Sequence, residues 1–362
     1  MKVLFLTNVP SPYRVDFFNE LGKNCELTVL FEKNTSDERD ASWSNYSFSN
    51  FKGVFLKGKS FKTDGAICFE VLKYLKRGAY DHIVCTNFSS PTGMLAIEWM
   101  RLKGIKYFLE SDGGFPKNGK GVKEAVKRHF IKGAKGYFST GAAHDAYYLA
   151  YGAEKEKIYH YQFTSLKSED LLLSVPSREE KEALRKEYGM TEEHIVLSVG
   201  QFIHRKGFDV LIKAAKSLPK NIGVYIVGGN PPQEYIELKG ECENIHFVDF
   251  KLKDELKKYY MAASVFVLPT REDIWGLVIN EAMSLGLPVI TTNKCIAGLE
   301  LIKDDFNGYI VPVEDENIIA EKVCQIVETK SDMILGQNAL TTIFDYTFTK
   351  MAKTHLEIFS RG

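Results

Sequence analysis

Short apolar runs alternate with helix-like patterns along most of this chain. The runs span three to five residues and are rich in β-branched and aromatic side chains; they cover residues 3–6, 27–31, 82–85, 107–110, 136–139, 196–199, 224–227, 265–268 and 289–291. Strands that alternate with helices are typical of parallel sheets flanked by helices. At 362 residues the chain also exceeds what one hydrophobic core usually serves. The sequence therefore predicts an α/β protein of two domains.

A largely polar stretch over residues 165–182 interrupts the alternation, and helix signals resume at 177–188. We place the domain junction there, which gives a first domain over residues 1–165 and a second over 166–345. No internal repeat or low-complexity tract accompanies this division.

Several protein classes are disfavoured by composition. No run approaches the roughly 18 apolar residues of a spanning helix, and Met1-Lys2 leads straight into the first strand without a signal-peptide pattern. We therefore expect a cytoplasmic protein. Six cysteines are scattered without the close spacing of a metal site, which predicts reduced thiols and no zinc.

Charge is distributed unevenly. Residues 1–165 carry 24 Lys or Arg against 17 Asp or Glu, and residues 101–135 alone carry 10 against 3. Within that segment, residues 117–135 predict a basic helix with an apolar stripe of Val122, Val126 and Phe130. The other faces of this helix carry Lys120, Lys123, Lys127 and Arg128. A solvated surface helix and contact with an anionic membrane or a lipid pyrophosphate acceptor are both compatible with this pattern. Nucleic acid is disfavoured because no base-reading motif accompanies the charge.

The segment TREDIWGLVINEAMSLGLP, residues 270–288, places Asp273 and Glu281 eight positions apart across Gly276. The apolar run before it predicts a buried strand, and residues 277–285 predict a helix that stops at Gly286. Amides at Gly276, Leu277 and Val278 would then face outward at a helix start, where the dipole favours an anion such as a diphosphate. Two ordinary solvated acids would be the alternative interpretation of an isolated Asp-x7-Glu pair.

A second motif, IVLSVGQFIHRKGFDVL, occupies residues 195–211. An apolar strand ends at Gly200, a loop carries His204, Arg205 and Lys206, and Gly207 opens a helix. Such a loop places cations where the carboxyl end of a strand meets a helix start, the usual ligand position in open α/β sheets. A solvated basic turn is the alternative for this loop alone.

Together the two motifs resemble those of the family 4 retaining glycosyltransferases. There the first has the form E-x-F-G-L-x-x-x-E followed by A-M-A-x-G-x-P-V-I, and the second runs G-R-x-x-x-x-K-G. Gly200, Lys206 and Glu281 match, whereas Asp273 stands for the first Glu, Trp275 for Phe, and Gln201 for Arg. The resemblance is strongest over residues 190–315.

This resemblance implies a GT-B fold: two Rossmann-like domains facing a central cleft, with the donor in the second domain and the acceptor in the first. The last helix, within residues 346–362, would pack back on the first domain. The implied reaction moves a sugar, with retention, from a UDP- or GDP-sugar to a hydroxyl acceptor, without a metal or other cofactor. The acceptor would be a lipid-linked or polysaccharide intermediate of bacterial surface glycan assembly.

The resemblance also implies roles for individual residues. Lys206 would neutralise the donor diphosphate, and Arg205 is the nearest substitute for the charge missing at Gln201. Glu281 would hold the ribose and Asp273 would orient the sugar. The remaining candidate donor contacts are Gly200, Trp275, the helix-start residues Gly276, Leu277 and Val278, and Phe250 and Lys251 near the base.

In the first domain, the corner Glu110-Ser-Asp112-Gly-Gly follows a predicted strand. Family members carry a His or Asp near this corner beside the reacting sugar, so Asp112 is the candidate and Glu110 the second choice. A glycine turn with a capping Asp is the structural alternative.

Two other functions remain open from sequence. A nucleotide-sugar epimerase of the same fold would use the same donor site, and a two-domain solute-binding protein would share the α/β architecture. A solute-binding protein would usually carry an export signal, for which this sequence shows no pattern, and it would have no use for a cation loop.

Overall fold

The computed structural model describes residues 1–34, 47–60, 65–117, 119 and 121–361. These residues form two compact units, one made of residues 1–164 together with 347–361 and the other of Ser165–Tyr346. The chain crosses from the first unit to the second between Thr164 and Ser165, next to the predicted junction, and returns to the first unit at Thr347.

The first unit is built on a parallel sheet. Its strands are β1 (Lys2–Thr7), β2 (Glu26–Phe31), β3 (Lys52–Phe55), β4 (Lys59–Ser60), β5 (Ala66–Ile67), β6 (His82–Cys85), β7 (Phe108–Glu110), β8 (Gly136–Ser139) and β9 (Ile158–His160). Across the described residues of this unit, seven parallel strands pair in the order β3-β2-β1-β6-β7-β8-β9, and β4 pairs with β5 in a separate antiparallel ribbon.

Helices cover both faces of this sheet, as its apolar strands require. They are α1 (Pro12–Leu21), α2 (Pro91–Leu102), α3 (Val122–Ile131) and α4 (Ala142–Ala150), with 3₁₀ turns at Phe69–Lys73 and Lys155–Lys157. The central strand β1 is buried from Val3 to Thr7, and strands buried on both faces are continuous apolar runs rather than alternating ones.

The second unit repeats this architecture. Its strands are β10 (His194–Val199), β11 (Ile222–Val227), β12 (Ile245–Val248), β13 (Val265–Leu268), β14 (Val289–Thr292) and β15 (Gly308–Val311). All residues of this unit are described, and within it six parallel strands pair in the order β12-β11-β10-β13-β14-β15. Val196 of β10 lies opposite Val224 of β11 on one side and Val265 of β13 on the other.

Helices again flank the sheet. They are α5 (Arg178–Glu187), α6 (Phe208–Lys216), α7 (Gln233–Lys239), α8 (Lys253–Ala262), α9 (Leu277–Ser284), α10 (Ile296–Leu301), α11 (Glu316–Glu328) and α12 (Asp332–Ile343), with 3₁₀ turns at Ser168–Asp170 and His204–Lys206. Helix α5 begins with a capping box, in which Ser177 Oγ accepts from the Glu180 amide and the Glu180 carboxylate accepts from the Ser177 amide.

The last helix, α13 (Phe348–Ser360), belongs to the first unit. Thr349 Oγ1 donates to Glu20 of α1 at 3.3 Å, and the buried His355 Nε2 lies 3.1 Å from Glu110 Oε2 at the end of β7. The C-terminal segment therefore completes the core of the unit in which the chain began.

Each of the nine apolar runs identified from sequence coincides with a strand of these two sheets, apart from Tyr107, which precedes β7. The prediction of two parallel-sheet α/β units is confirmed. A further strand predicted from sequence over residues 245–250 contains β12, whereas the sheet strands β3, β9 and β15 were not predicted. All three lie at sheet edges, and neither β3 nor β9 contains a fully buried residue. A turn over residues 305–307 leads directly into β15.

Candidate active site

The strand order of the second unit brings two distant loops together. Strands β10 and β13 are neighbours, although β11 and β12 lie between them in sequence. Connections leave these two strands toward opposite sides of the sheet, which makes a topological switch point. Ligands of open α/β sheets bind beside such points, at the carboxyl ends of the strands. The loop 200–207 after β10 and the loop 269–276 after β13 meet there.

Glycines allow these loops to approach closely. Gly207, at φ 70°, lies so near Pro269 that a Cβ would stand 2.1 Å from the Pro269 carbonyl oxygen. A Cβ on Gly228 would stand 1.8 Å from the Gly200 carbonyl oxygen. No side chain fits at either position, so Gly207 of the second motif and Gly228 after β11 serve the approach of backbone to backbone.

Hydrogen bonds fasten the cation loop to the loop after β13. The Arg205 carbonyl accepts from the Arg271 amide and from Thr270 Oγ1, both at 2.8 Å. Arg271 in turn donates to both carboxylate oxygens of Asp209 at 2.8 and 2.7 Å and pairs with Glu314. Sequence reasoning missed Arg271 and Asp209, because an Arg just after a strand and an Asp at a helix start are individually ordinary.

Arg205, Lys206 and Asp273 form one charge cluster. Lys206 Nζ donates to Asp273 Oδ2 at 2.6 Å, and Arg205 Nη1 lies 3.2 Å from Asp273 Oδ1. The Asp273 and Lys206 side chains are 9% and 13% exposed, whereas Arg205 is 46% exposed. The Asp273 amide also donates to the Lys294 carbonyl at 2.8 Å. Two positive charges thus face one negative charge at a fixed place beside the switch point.

Helix α9 begins beside this cluster. Gly276 adopts φ 101°, and a Cβ there would stand 2.9 Å from Cys295 Sγ. The Ile279 amide donates to the Gly276 carbonyl at 2.9 Å, so helical bonding starts after the amides of Gly276, Leu277 and Val278. These are the residues predicted to bind an anion at a helix start.

Glu281 lies in the second turn of α9, close to two hydroxyl groups of its own unit. Its carboxylate accepts from Tyr260 Oη at 3.2 Å and from Ser165 Oγ at 3.4 Å. Burial raises the pKa of Glu281, while the Tyr260 hydroxyl and other donors partly oppose that effect. The two hydroxyls therefore orient the Glu281 side chain, whose remaining lone pairs can accept from hydroxyl donors of a ligand.

The indole of Trp275 is in the core, which corrects the expectation of a ligand contact through this side chain. Trp275 is 1% exposed, and its Nε1–H donates to Asn280 Oδ1 at 2.8 Å. Its carbonyl accepts from the Ala297 amide at 3.0 Å. The large ring anchors the loop after β13 to helix α9, which is a packing role.

The other candidate donor residues lie on loops at the same edge of this sheet. Gln201 is exposed and directly follows Gly200. Phe250 follows β12 and is 59% exposed, while Lys251 pairs with Glu255 at 2.7 Å. An exposed aromatic ring at the carboxyl end of a strand is accessible to a flat base.

In the first unit, Asp112 and Glu110 share one arginine. The buried Arg14 guanidinium pairs with both carboxylates, and Tyr13 Oη donates to Asp112 at 2.9 Å. Burial alone would raise the pKa of Glu110, but Arg14 and His355 outweigh it and lower this pKa to about 2. The Glu110 side chain is fully buried, whereas that of Asp112 is 25% exposed. Only Asp112 of the two is accessible to a ligand.

Asp304 and Asp305 have structural partners. Asp304 Oδ1 accepts from the Ile310 amide at 2.8 Å, and Asp305 Oδ1 accepts from Tyr309 Oη at 2.9 Å. Throughout the described residues, no three His, Cys, Asp or Glu side chains are grouped as ligands of a metal ion would be. No helix in the described part of the chain combines the length and apolar character needed to cross a membrane.

Two Rossmann-like parallel-sheet units, with a cation loop and a glycine-opened helix at the switch point of the second, define the GT-B class of fold. Comparison with known proteins agrees. Residues 180–341 match the family described as "Glycosyl transferases group 1", and this segment contains both motifs of the candidate site.

Individual relatives extend the comparison. An uncharacterized glycosyltransferase of Methanocaldococcus jannaschii is 29% identical over 51% of this chain and 49% of its own length. The putative teichuronic acid biosynthesis glycosyltransferase TuaC of Bacillus subtilis is 25% identical over 71% of this chain and 64% of its own. The alignments thus span about half to two thirds of these relatives.

Among solved structures, Anabaena Alr3699/HepE in complex with UDP superposes over 100% of both chains with a TM-score of 0.80 and 14% identity. The same protein with UDP-glucose gives a TM-score of 0.76. At such identity the likeness establishes the fold, and it covers both units.

Proposed function

We propose that this chain is a metal-independent, retaining glycosyltransferase that moves a sugar from a UDP- or GDP-sugar to a hydroxyl acceptor. The observation that carries the proposal is the meeting of Arg205, Lys206 and Asp273 with the start of helix α9 at one switch point. The match of residues 180–341 to glycosyl transferases group 1 supports the reaction class.

Charge is the first argument for a diphosphate ligand. Arg205 and Lys206 carry two positive charges against the single charge of Asp273, and the helix start adds roughly half a positive charge. A bound diphosphate would take over Lys206 from Asp273 and accept from the amides of Gly276 and Leu277. Fixed donors aimed at a departing diphosphate stabilise the charge that develops during transfer, so no metal is needed for that role.

The carboxylates suit the two sugar rings of such a donor. Glu281, oriented by Tyr260 and Ser165, would accept from the ribose hydroxyls, and Asp273, once released from Lys206, would accept from hydroxyls of the transferred sugar. Phe250, with Lys251 beside it, would pack against the base. Each assignment uses a carboxylate or an exposed aromatic ring at the carboxyl edge of the same sheet.

The acceptor would bind to the first unit, with Asp112 beside the reacting hydroxyl. The Arg14 guanidinium pairs with Asp112 and Tyr13 donates to it, so both partners orient the Asp112 carboxylate. It would therefore accept a hydrogen bond from the nucleophilic hydroxyl. The name of TuaC, a relative in teichuronic acid biosynthesis, supports a role in glycan assembly. The acceptor proposed here is a lipid-linked or polysaccharide intermediate, met at the cytoplasmic face of a membrane.

Helix α3 is the proposed membrane contact. Val122 and Val126 are 83% and 37% exposed, and Lys123 and Arg128 are exposed beside them; Lys120 lies outside the described residues. Exposed apolar side chains flanked by cations are typical of helices that lie on anionic lipid. Cosedimentation with vesicles that contain 30% anionic lipid should exceed that with neutral vesicles, and Val122→Glu with Val126→Glu should abolish the difference. Equal cosedimentation with both vesicle types would refute this contact.

The central test is Glu281→Gln. Glutamine keeps the shape and the hydrogen bond from Tyr260 but removes the charge, so donor affinity should fall about 10- to 100-fold, the range of about 1.5–3 kcal/mol expected for a hydrogen bond to a charged group. Isothermal titration with UDP and GDP measures this directly. Glu234→Gln, at an exposed position of α7, is the matched control and should leave affinity unchanged. Undiminished affinity in Glu281→Gln would remove the ribose assignment.

Turnover assays separate the proposal from its alternatives. Incubation of the labelled donor without acceptor should yield at most slow hydrolysis, whereas an epimerase would interconvert the sugars and a binding protein would change nothing. With acceptor present, proton NMR of the product should show the anomeric configuration of the donor. An inverted product would overturn the retaining assignment.

A further inference from the structure

A cavity of about 230 Å³ lies in the first unit, at the carboxyl ends of β6 and β7. Its lining combines three aromatic rings, Phe88, Phe130 and Tyr147, with the hydroxyl of Ser111 and the ammonium of Lys127. Pockets for drug-sized ligands usually measure about 300–1,000 Å³. This one is therefore suited to a single ring with apolar faces and polar edges.

The hydrogen-bond network behind Ser111 determines the direction of its proton. The Thr140 amide donates to His144 Nδ1 at 3.2 Å, so the neutral imidazole carries its proton on Nε2, which lies 2.8 Å from Ser111 Oγ. Burial lowers the pKa of His144 to about 3, so the ring is neutral at physiological pH. His144 therefore donates to Ser111.

Tyr148 completes this arrangement. Its hydroxyl is fully buried and lies 3.2 Å from Ser111 Oγ, and a buried tyrosine hydroxyl needs an acceptor. With His144 and Tyr148 both donating, the lone pairs of Ser111 are occupied and its own proton is available to the cavity. The buried network thus makes Ser111 a directed hydrogen-bond donor.

The walls of the cavity are held in place by the surrounding structure. Glu32 accepts from Asn87 Nδ2 at 2.9 Å and from Ser90 Oγ at 2.5 Å, which fastens the loop that carries Phe88. On the opposite side, a Cβ on Gly114 would stand 3.0 Å from the Tyr147 ring, so the glycine corner packs directly on that ring. The cavity is preformed, which reduces the entropy lost on binding.

We infer that this cavity binds one pyranose ring, whose apolar face stacks on Phe130 and Tyr147 and whose oxygen accepts from Ser111. Lys127, 3.7 Å from Glu124, supplies a further donor for ring oxygens. Asp112 lies between the two lining residues Ser111 and Gly113 in sequence. If the proposed function holds, on which this step rests, the ring is the acceptor sugar that presents its hydroxyl to Asp112.

Saturation-transfer NMR on the full chain tests the inference. The probes are methyl glycosides of glucose, galactose, mannose, N-acetylglucosamine and glucuronic acid. At least one of these glycosides should receive saturation from the protein. The transfer should be strongest to the protons on one face of its ring. Ser111→Ala and Phe130→Ala should each weaken its binding about tenfold, the effect of one lost directed bond or stacking partner. Ser360→Ala, at an exposed position of α13, is the matched control.

Titration of the same samples with UDP and GDP separates the two proposals. Glycoside binding that both variants weaken, with nucleotide affinity unchanged, supports the cavity. Absence of binding by every glycoside, or binding that neither variant weakens, overturns the cavity assignment whatever the nucleotides do. If Ser111→Ala lowers the melting temperature, the result for Phe130→Ala decides the test, because the Phe130 ring is only half-buried. Absence of UDP and GDP binding overturns the donor proposal separately.

Discussion

The buried carboxyl group of Glu32 allows a quantitative test of how the stability of the first unit depends on pH. This carboxyl group is 3% exposed at the end of β2 and accepts from Asn87, Ser90 and the Ala66 amide. Burial raises its pKa from 4.5 to about 7, although these hydrogen bonds favour the ionised form. Between pH 4.5 and 7 the folded chain therefore holds a proton that the unfolded chain has released.

The sign of the pH effect follows from this difference. The folded state binds more protons across the window, so the free energy of unfolding falls as pH rises from 4.5 to 7. A difference of about 2.5 pKa units corresponds to roughly 3 kcal/mol at about 1.4 kcal/mol per unit. The contribution is constant below 4.5 and, for this group, constant again above about 7.

Chemical denaturation at a series of pH values measures the effect. The transition of the first unit should be fitted separately, because a chain of two units need not unfold in one step. Glu32→Gln should remove the decline, so the difference between wild type and variant changes by about 3 kcal/mol between pH 4.5 and 7.5. Glu26→Gln, at an exposed site on the same strand, should retain it. Parallel pH profiles for wild type and Glu32→Gln would refute the reasoning.

Three further outcomes are expected. Lys206→Met should weaken UDP or GDP affinity at least tenfold, since a charge-assisted phosphate contact is worth about 1.5–3 kcal/mol; unchanged affinity by isothermal titration would exclude Lys206 from the donor site. Prior treatment with EDTA should leave transfer activity intact, because Lys206 and the helix start supply the stabilising charge; activity restored only by added divalent metal would contradict this. Gly207→Ala should lower the free energy of unfolding by more than about 2 kcal/mol, because the new Cβ collides with the Pro269 carbonyl. Gly229→Ala, with a similar positive φ and no atom within 4 Å of its Cβ, should cost about 1–2 kcal/mol; equal losses in the two variants would show that the close approach is unimportant.

Much of the fold was predictable because central strands of parallel sheets are buried on both faces. Their apolar, β-branched runs are visible without any knowledge of neighbours, and β1, β10 and β13 were located within two residues. The edge strands β3 and β9 are exposed or half-buried throughout, so their sequences carry less apolar character. Strand pairing order was not predictable, because parallel strands are joined by crossovers and no local signal specifies which neighbour a strand will take.

The candidate site shows the same division. The glycines, the Asp273 to Glu281 spacing and the Arg205-Lys206 pair were identifiable, because a helix start and a strand end have local sequence signatures. The burial of Trp275 was not identifiable from sequence, since an aromatic residue in a loop has no periodicity that distinguishes core from surface. The fastening of the cation loop by Arg271 was also missed, because its partners Asp209 and Glu314 are distant in sequence.

By itself, the sequence determined the two α/β units and the loops that carry charge. Only the tertiary structure decided that β10 lies beside β13, which brings Lys206 to 2.6 Å from Asp273 although 67 positions separate them. It also decided that Ser111 faces a cavity with its proton directed by His144 and Tyr148. Local patterns specify elements and their ends, whereas the contacts that make a site depend on long-range packing, for which an individual segment carries no signal.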